Sequence, residues 1–174
     1  MNICGIIAEY NPFHNGHAYQ IQYTKDTLKA DYVIIAMSGD FVQRGTPAIL
    51  PKHVQAEMAL REGADLVLEL PTAAATASAE FFAQSGVALL DSLGVVDTLC
   101  FGSETGCVDA FMELAAILVE EPEDYKNALK EGLSSGLSFP AARSHAVMEY
   151  FRDARHFPGD DFDGVLMPLL NQIG

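Results

Sequence analysis

The sequence has no tryptophan, only three cysteines in 174 residues, and 10 Lys and Arg against 24 Asp and Glu. Cys4, Cys100 and Cys107 include no CxxC pair, and an odd number of thiols argues against a disulfide framework, so a reducing compartment, by default the cytoplasm, is expected. The formal net charge of −14 weighs against non-specific binding of a nucleic-acid backbone, which is held by Lys and Arg that release its counterions. Acidic side chains gather between Glu120 and Glu123 and between Asp160 and Asp163, which read as solvated faces. Long apolar runs are missing as well. Tyr32 to Met37 falls far short of the ~20 residues needed to span a bilayer, and Met1-Asn2-Ile3-Cys4 carries no basic n-region, so neither membrane insertion nor export is expected.

Short apolar runs, in contrast, are plentiful, and hydrophobic residues make up 49% of the chain. Ile3 to Ala8 predicts a strand, followed by a Gly/Pro/Asn-rich loop and a helix from His17 to Lys29. Tyr32 to Met37 predicts a second strand, then a long loop to Pro51 and a helix from Lys52 to Glu62. Leu66 to Leu70, a helix from Ser78 to Leu93, and Thr98 to Phe101 complete the pattern. Continuous apolar strands alternating with helices predict an α/β fold, a Rossmann-like parallel sheet covered on both faces. Beyond Gly106 the periodicity becomes helical: Val108 to Glu120, Pro122 to Glu131 and Phe139 to Phe151, with Gly132 and Gly136 as stops. The expected layout is a core over residues 1–106 and a mostly helical extension of the same domain over 107–174. The last stretch has a turn at Pro158-Gly159 and a short apolar piece from Val165 to Leu170.

In such a sheet ligands collect at the carboxyl ends of the strands, where helix N-termini present unpaired N–H groups and partial positive charge. The unusual residues of this sequence fall there: Glu9 to His17, Ser38 to Gly45, and Gly102 to Gly106. His14 and His17 are three positions apart around Gly16, so a helix starting here places both imidazoles on one face, with no side chain at 16 to block a phosphate. Donors fixed in this way stabilise charge that grows on a transferred phosphoryl group and on leaving pyrophosphate. His-x-x-His is also the spacing of a zinc pair, although no third ligand is evident nearby, and two ordinary loop and cap histidines would look the same. Arg44 suits a phosphate or carboxylate, and Asp40 a magnesium ion or an amine; an ion pair that orders the loop is the simpler reading of both. Glu9 reads equally as a loop anchor and Glu104 as a helix-cap acid. Cys100 and Cys107 read as buried small hydrophobes.

Four separated segments resemble one family in order: Gly5 to His17 with its Asn-Pro-Phe-His-Asn-Gly-His run, Met37 to Gly45, Glu69-Leu70-Pro71 with Ser78 to Phe82, and Gly94 to Glu104. Together they resemble the tRNA(Met) cytidine acetate ligases, within the HxGH nucleotidylyltransferase superfamily. The resemblance implies ATP-dependent activation of acetate as acetyl-adenylate, then acetylation of the wobble cytidine of elongator tRNA(Met) at N4. It implies an ATP site lined by Ile7, Ala8, Glu9, Tyr10, Asn11, Pro12, Phe13, His14, Asn15, Gly16, His17, Ala18, Tyr19, Gln20 and Gly102, with Mg2+ carried by the nucleotide. His14, His17, Asp40 and Arg44 are the candidate catalytic residues. Members of the family are longer and carry a Pro-Asn-Asn segment and a later Arg at the nucleotide site. Asp153 to Gly174 offers only Asn171 and no Arg after Arg155, so tRNA binding calls for a region absent from this chain. HxGH alone also suits a small-molecule adenylyltransferase, and the shortness suits a nucleotide-binding module without turnover.

Overall fold

The computed structural model describes residues 1–103 and 106–154. The readings made for Glu104, the Pro158-Gly159 turn, the Val165 to Leu170 piece and Asn171 lie outside the described residues. The chain divides into two compact units, Met1–Gly102 and Ser103–Gly174.

The first unit runs β1 (Ile3–Ala8), α1 (Asn15–Asp26), β2 (Tyr32–Met37), α2 (Lys52–Arg61), β3 (Leu66–Glu69), α3 (Thr72–Ala75), α4 (Ala79–Ser92) and β4 (Thr98–Leu99). The strands form one sheet in the order β3-β2-β1-β4, and every pairing is parallel. The α/β sheet expected from the apolar runs is present. Alternation along β2 explains why it needs helices on both sides: Val33, Ile35 and Met37 join Ile21 and Ala59 in one core cluster, while Ile34 and Ala36 join Leu70, Ala75 and Leu90 in another. Helix α4 approaches β1 closely. A Cβ on Gly86 would lie 2.7 Å from Ile7 Cγ2, and one on Gly5 would lie 2.7 Å from Leu90 Cδ1.

At the amino ends of the strands, aspartates accept backbone N–H groups. Asp97 takes that of Ile3 at 2.9 Å, Asp65 that of Val33 at 2.8 Å, and Asp31 that of Asn2 at 2.7 Å. Three local details depart from the expected pattern. Helix α1 starts at Asn15 rather than His17, because His14 itself caps it. The four-residue α3 was not foreseen; Pro71 fits the position before its first turn, but the run is too short to show periodicity. β4 covers only two residues, although the Cys100 N–H still donates to the Gly5 carbonyl at 2.9 Å.

The second unit holds α5 (Val108–Glu120), α6 (Glu123–Ser134) and α7 (Phe139–Ala154). Ala110, Leu114, Ile117, Tyr125, Ala146, Val147 and Phe151 form its core. Gly132 is no stop: it lies inside α6, buried, where a Cβ would be 3.2 Å from Ala142 Cα and 3.1 Å from Ala142 Cβ. A small residue there lets α6 and α7 touch backbone to backbone. The break is made by Gly136 alone, at φ +91°.

Candidate active site

All four strands end on the same edge, so the loops after β1, β2 and β4 share one rim. After β1 the chain passes through Tyr10 in the left-handed region at φ +50° and a cis Asn11-Pro12 peptide bond, then enters α1 at His14. Each imidazole here does the work of a capping side chain. The Gly16 N–H donates to His14 Nδ1 at 3.1 Å, and the His14 N–H donates to His17 Nδ1 at 3.2 Å. This is a reciprocal capping box, with histidines where Ser/Thr and Glu usually stand.

The chemical consequence is the tautomer. A ring that accepts at Nδ1 carries its proton on Nε2, so both neutral rings keep an Nε2–H donor for another group. The rings stack with centroids 3.7 Å apart and planes 22° apart. Gly16 makes that possible, since a Cβ there would sit 2.9 Å from His14 Cε1. The backbone amides are less available than the sequence suggested. The N–H groups of His17 and Ala18 go to the His14 carbonyl at 2.9 and 3.2 Å, and that of Gly16 to the His14 ring.

Behind the pair, Tyr10 is 1% exposed and its ring lies 4.6 Å from that of His17, while Phe13 lies 4.9 Å from Tyr10 edge-on. Burial, and secondarily the neighbouring His14, hold the His17 pKa below its ordinary value. His17 is thus kept as a neutral donor. Burial also raises the Tyr10 phenol, whose hydroxyl has no hydrogen-bond partner among the described residues.

The loop after β2 is tied to the first. Glu9 Oε2 accepts the Gln43 N–H at 3.3 Å, and Asn11 Oδ1 accepts the Ile49 N–H at 2.7 Å. Glu9 and Asn11 therefore anchor backbone in this structure. Asp40 does pair with a cation, but it is Lys52 rather than Arg44. Its Oδ1 accepts the Lys52 N–H at 3.1 Å, and Lys52 Nζ lies 3.6 Å from Oδ2. Lys52 Nζ also bridges both Glu69 oxygens at 2.9 and 2.8 Å, a hydrogen bond that raises its pKa. Gly39 leaves the space: a Cβ there would collide with the Glu69 carboxylate. Arg44 is exposed, at φ +145°, and no carboxylate among the described residues is within ion-pair distance.

Lys52 and Glu69 were not singled out from the sequence as site residues. Glu69 did stand in a quoted segment, and Lys52 follows Pro51 at a helix start, but nothing local joined them to Asp40. On the β4 side Gly102 is exposed and a Cβ would meet nothing within 4 Å. Gln20 Nε2 donates to the Cys100 carbonyl at 3.2 Å, tying α1 to this end of the sheet. Ile7, Ala8 and Ala18 are half-buried, whereas Pro12, Asn15 and Tyr19 are exposed. Cys100 and Cys107 are only half-buried; the fully buried cysteine is Cys4, whose thiol burial pushes up to about 11. Among the described residues no three His, Cys, Asp or Glu side chains group to hold a metal ion, and no helix is long and apolar enough to cross a membrane.

The model of the family described as HIGH Nucleotidyl Transferase matches residues 1–167. The chain belongs to that family. Among curated relatives of this HIGH nucleotidyl transferase, a tRNA(Met) cytidine acetate ligase of Clostridium novyi is 51% identical over 153 residues, covering 88% of this chain and 38% of the relative. One of Clostridium tetani is 49% identical over 173 residues, covering 99% of this chain and 42% of the relative. The chain thus spans about two fifths of the length of the curated relatives it matches. The crystal structure of Thermotoga maritima TmcAL bound with alpha-thio ATP superimposes with a TM-score of 0.89 at 43% identity, covering 97% of this chain and 40% of that one. The apo form of the same protein matches equally well, with a TM-score of 0.89.

Proposed function

We propose that this HIGH nucleotidyl transferase chain binds ATP at the His14–His17 turn and activates acetate, as the adenylating part of a tRNA(Met) cytidine acetate ligase. Ile7 to Gln20 and Gly102 line the nucleotide, and Mg2+ enters with its phosphates. An acetate oxygen attacks the α-phosphorus, the bond to the β-phosphate oxygen breaks, and pyrophosphate leaves, giving acetyl-adenylate. The N4 amine of the wobble cytidine then attacks the acetyl carbonyl, AMP leaves, and the amine loses a proton. The two Nε2–H donors face the charge that grows on the phosphates in the first step. Arg44, which has no ion-pair partner among the described residues, serves a phosphate or carboxylate, and Asp40 orders the loop that carries it.

The observation that carries this reading is the imidazole capping box, which fixes two neutral donors side by side at the start of α1. The ATP analogue in the Thermotoga maritima relative supports it. The net charge of −14 is poorly suited to holding tRNA, so the transfer step draws on surface that the longer relatives carry and this chain does not. With tRNA as substrate, the cytoplasm is the place of work. The test is exchange of labelled pyrophosphate into ATP. Dependence on acetate, with loss of exchange in His14→Ala and His17→Ala, is expected; undiminished exchange in both variants would refute the phosphate role.

A further inference from the structure

Helix α5 presents three different faces. Ala110, Leu114 and Ile117 point into the core of the second unit. Asp109, Glu113 and Glu120 share an acidic edge, and the helix contains no Lys or Arg. Between that edge and the far side of the core runs a stripe of Val108, Met112, Ala115 and Val119, all exposed, with Val108 at 65%, Met112 at 66% and Val119 at 84%. Its steps of four, three and four residues are those of a coiled-coil seam, a spacing that a second helix can cover. Next to the acidic edge lies a groove of about 280 Å³, whose lining includes Glu113, Glu120, Pro122 and Tyr150. Carboxylates and an aromatic ring lining one groove suit a Lys or Arg side chain, which can pair with the first and lie over the second.

From this we infer that α5 is a docking face for a basic amphipathic helix, supplied in the longer relatives by the part of their chain with no counterpart here. The seam of the partner covers Val108 to Val119, and basic residues along one of its flanks meet Asp109, Glu113 and Glu120. Charge complementarity selects this occupant over a second copy, whose α5 would bring no cation to the acidic edge. More than half of the Clostridium tetani relative lies outside the match, so its source is long enough to hold such a helix. The inference is independent of the chemistry proposed for the first unit.

The test uses the full 174-residue chain and overlapping 25-residue synthetic peptides covering the unmatched part of the Clostridium tetani relative, with binding read by fluorescence anisotropy. Peptides that combine an apolar seam with a Lys/Arg flank are expected to bind. Met112→Glu and Val119→Glu should each weaken them at least ten-fold, with unchanged circular dichroism, since both side chains are exposed. Glu113→Gln with Glu120→Gln should weaken them several-fold and flatten the salt dependence. Absence of any binder, binding indifferent to Met112→Glu, or a preference for acidic peptides would overturn the inference. So would sedimentation showing a dimer that Val119→Glu dissolves.

Discussion

The loop after β1 uses its polar groups to fix two uncharged rings, whereas the loop after β2 uses its charges mainly to neutralise one another. In the first, two Nδ1 atoms cap the helix and two Nε2–H donors remain for a ligand. In the second, Lys52 is held between Asp40 and Glu69, leaving Arg44 without an ion-pair partner among the described residues. Neutral donors held in place are ready for charge that appears during a reaction, because they need no reorganisation when it arrives. Paired charges hold a loop in shape.

The most direct way to break this contrast is to remove a ring. His14→Ala and His17→Ala are each expected to lower acetate-dependent pyrophosphate exchange by about 10²–10³-fold, the usual effect of deleting one fixed donor. Loss of the His14 cap should cost only about 1 kcal/mol in denaturant unfolding. Gly16→Ala keeps both rings but pushes His14 aside, and a displacement of that kind costs roughly 10²-fold in exchange. Displaced rings with full activity in this variant would show that the stack is incidental.

On the second loop a smaller, different response is expected. Arg44→Ala should raise the KM for ATP or acetate roughly three- to ten-fold with kcat nearly unchanged, the signature of binding that is equal in ground and transition states. Lys52→Met should act through loop order. It should speed amide hydrogen exchange at Gln43 and Ile49, whose N–H groups bind Glu9 and Asn11. Equal kcat losses in both variants would erase the distinction between the free and the paired cation.

The smallest effect concerns pH. His17 titrates below its ordinary value of 6.5 in the folded chain. Between that lowered value and 6.5 the unfolded chain binds more protons at this ring, so the stability contribution is complete above 6.5 and declines as pH falls through the window. His17→Gln should flatten that part of a melting-temperature profile. Exchange activity should show an acid limb in the same window, because a protonated ring can no longer accept at Nδ1.

The strands were legible because each is an apolar run bounded by turn residues, and their helices followed from the alternation. The histidine pair was legible too, since His14, Gly16 and His17 are neighbours in sequence. What the sequence concealed was long-range or ambiguous. The partnership of Asp40, Lys52 and Glu69 joins the ends of two strands and the start of a helix, and no local pattern encodes it. Gly132 read as a helix stop because glycine serves both turns and close packing; only the position of Ala142 separates the two uses. The role of His14 as a cap was also hidden, because histidine seldom takes that place.

The aspartates at the amino ends of the strands have a consequence for how the sheet resists fraying. Asp31, Asp65 and Asp97 each accept a backbone N–H at the start of a strand, and Asp31 and Asp65 are in turn held by the Met1 amino group at 3.7 Å and Lys25 Nζ at 3.0 Å. Amide hydrogens held in this way should exchange slowly with solvent even at the margin of the sheet, where a strand would otherwise fray.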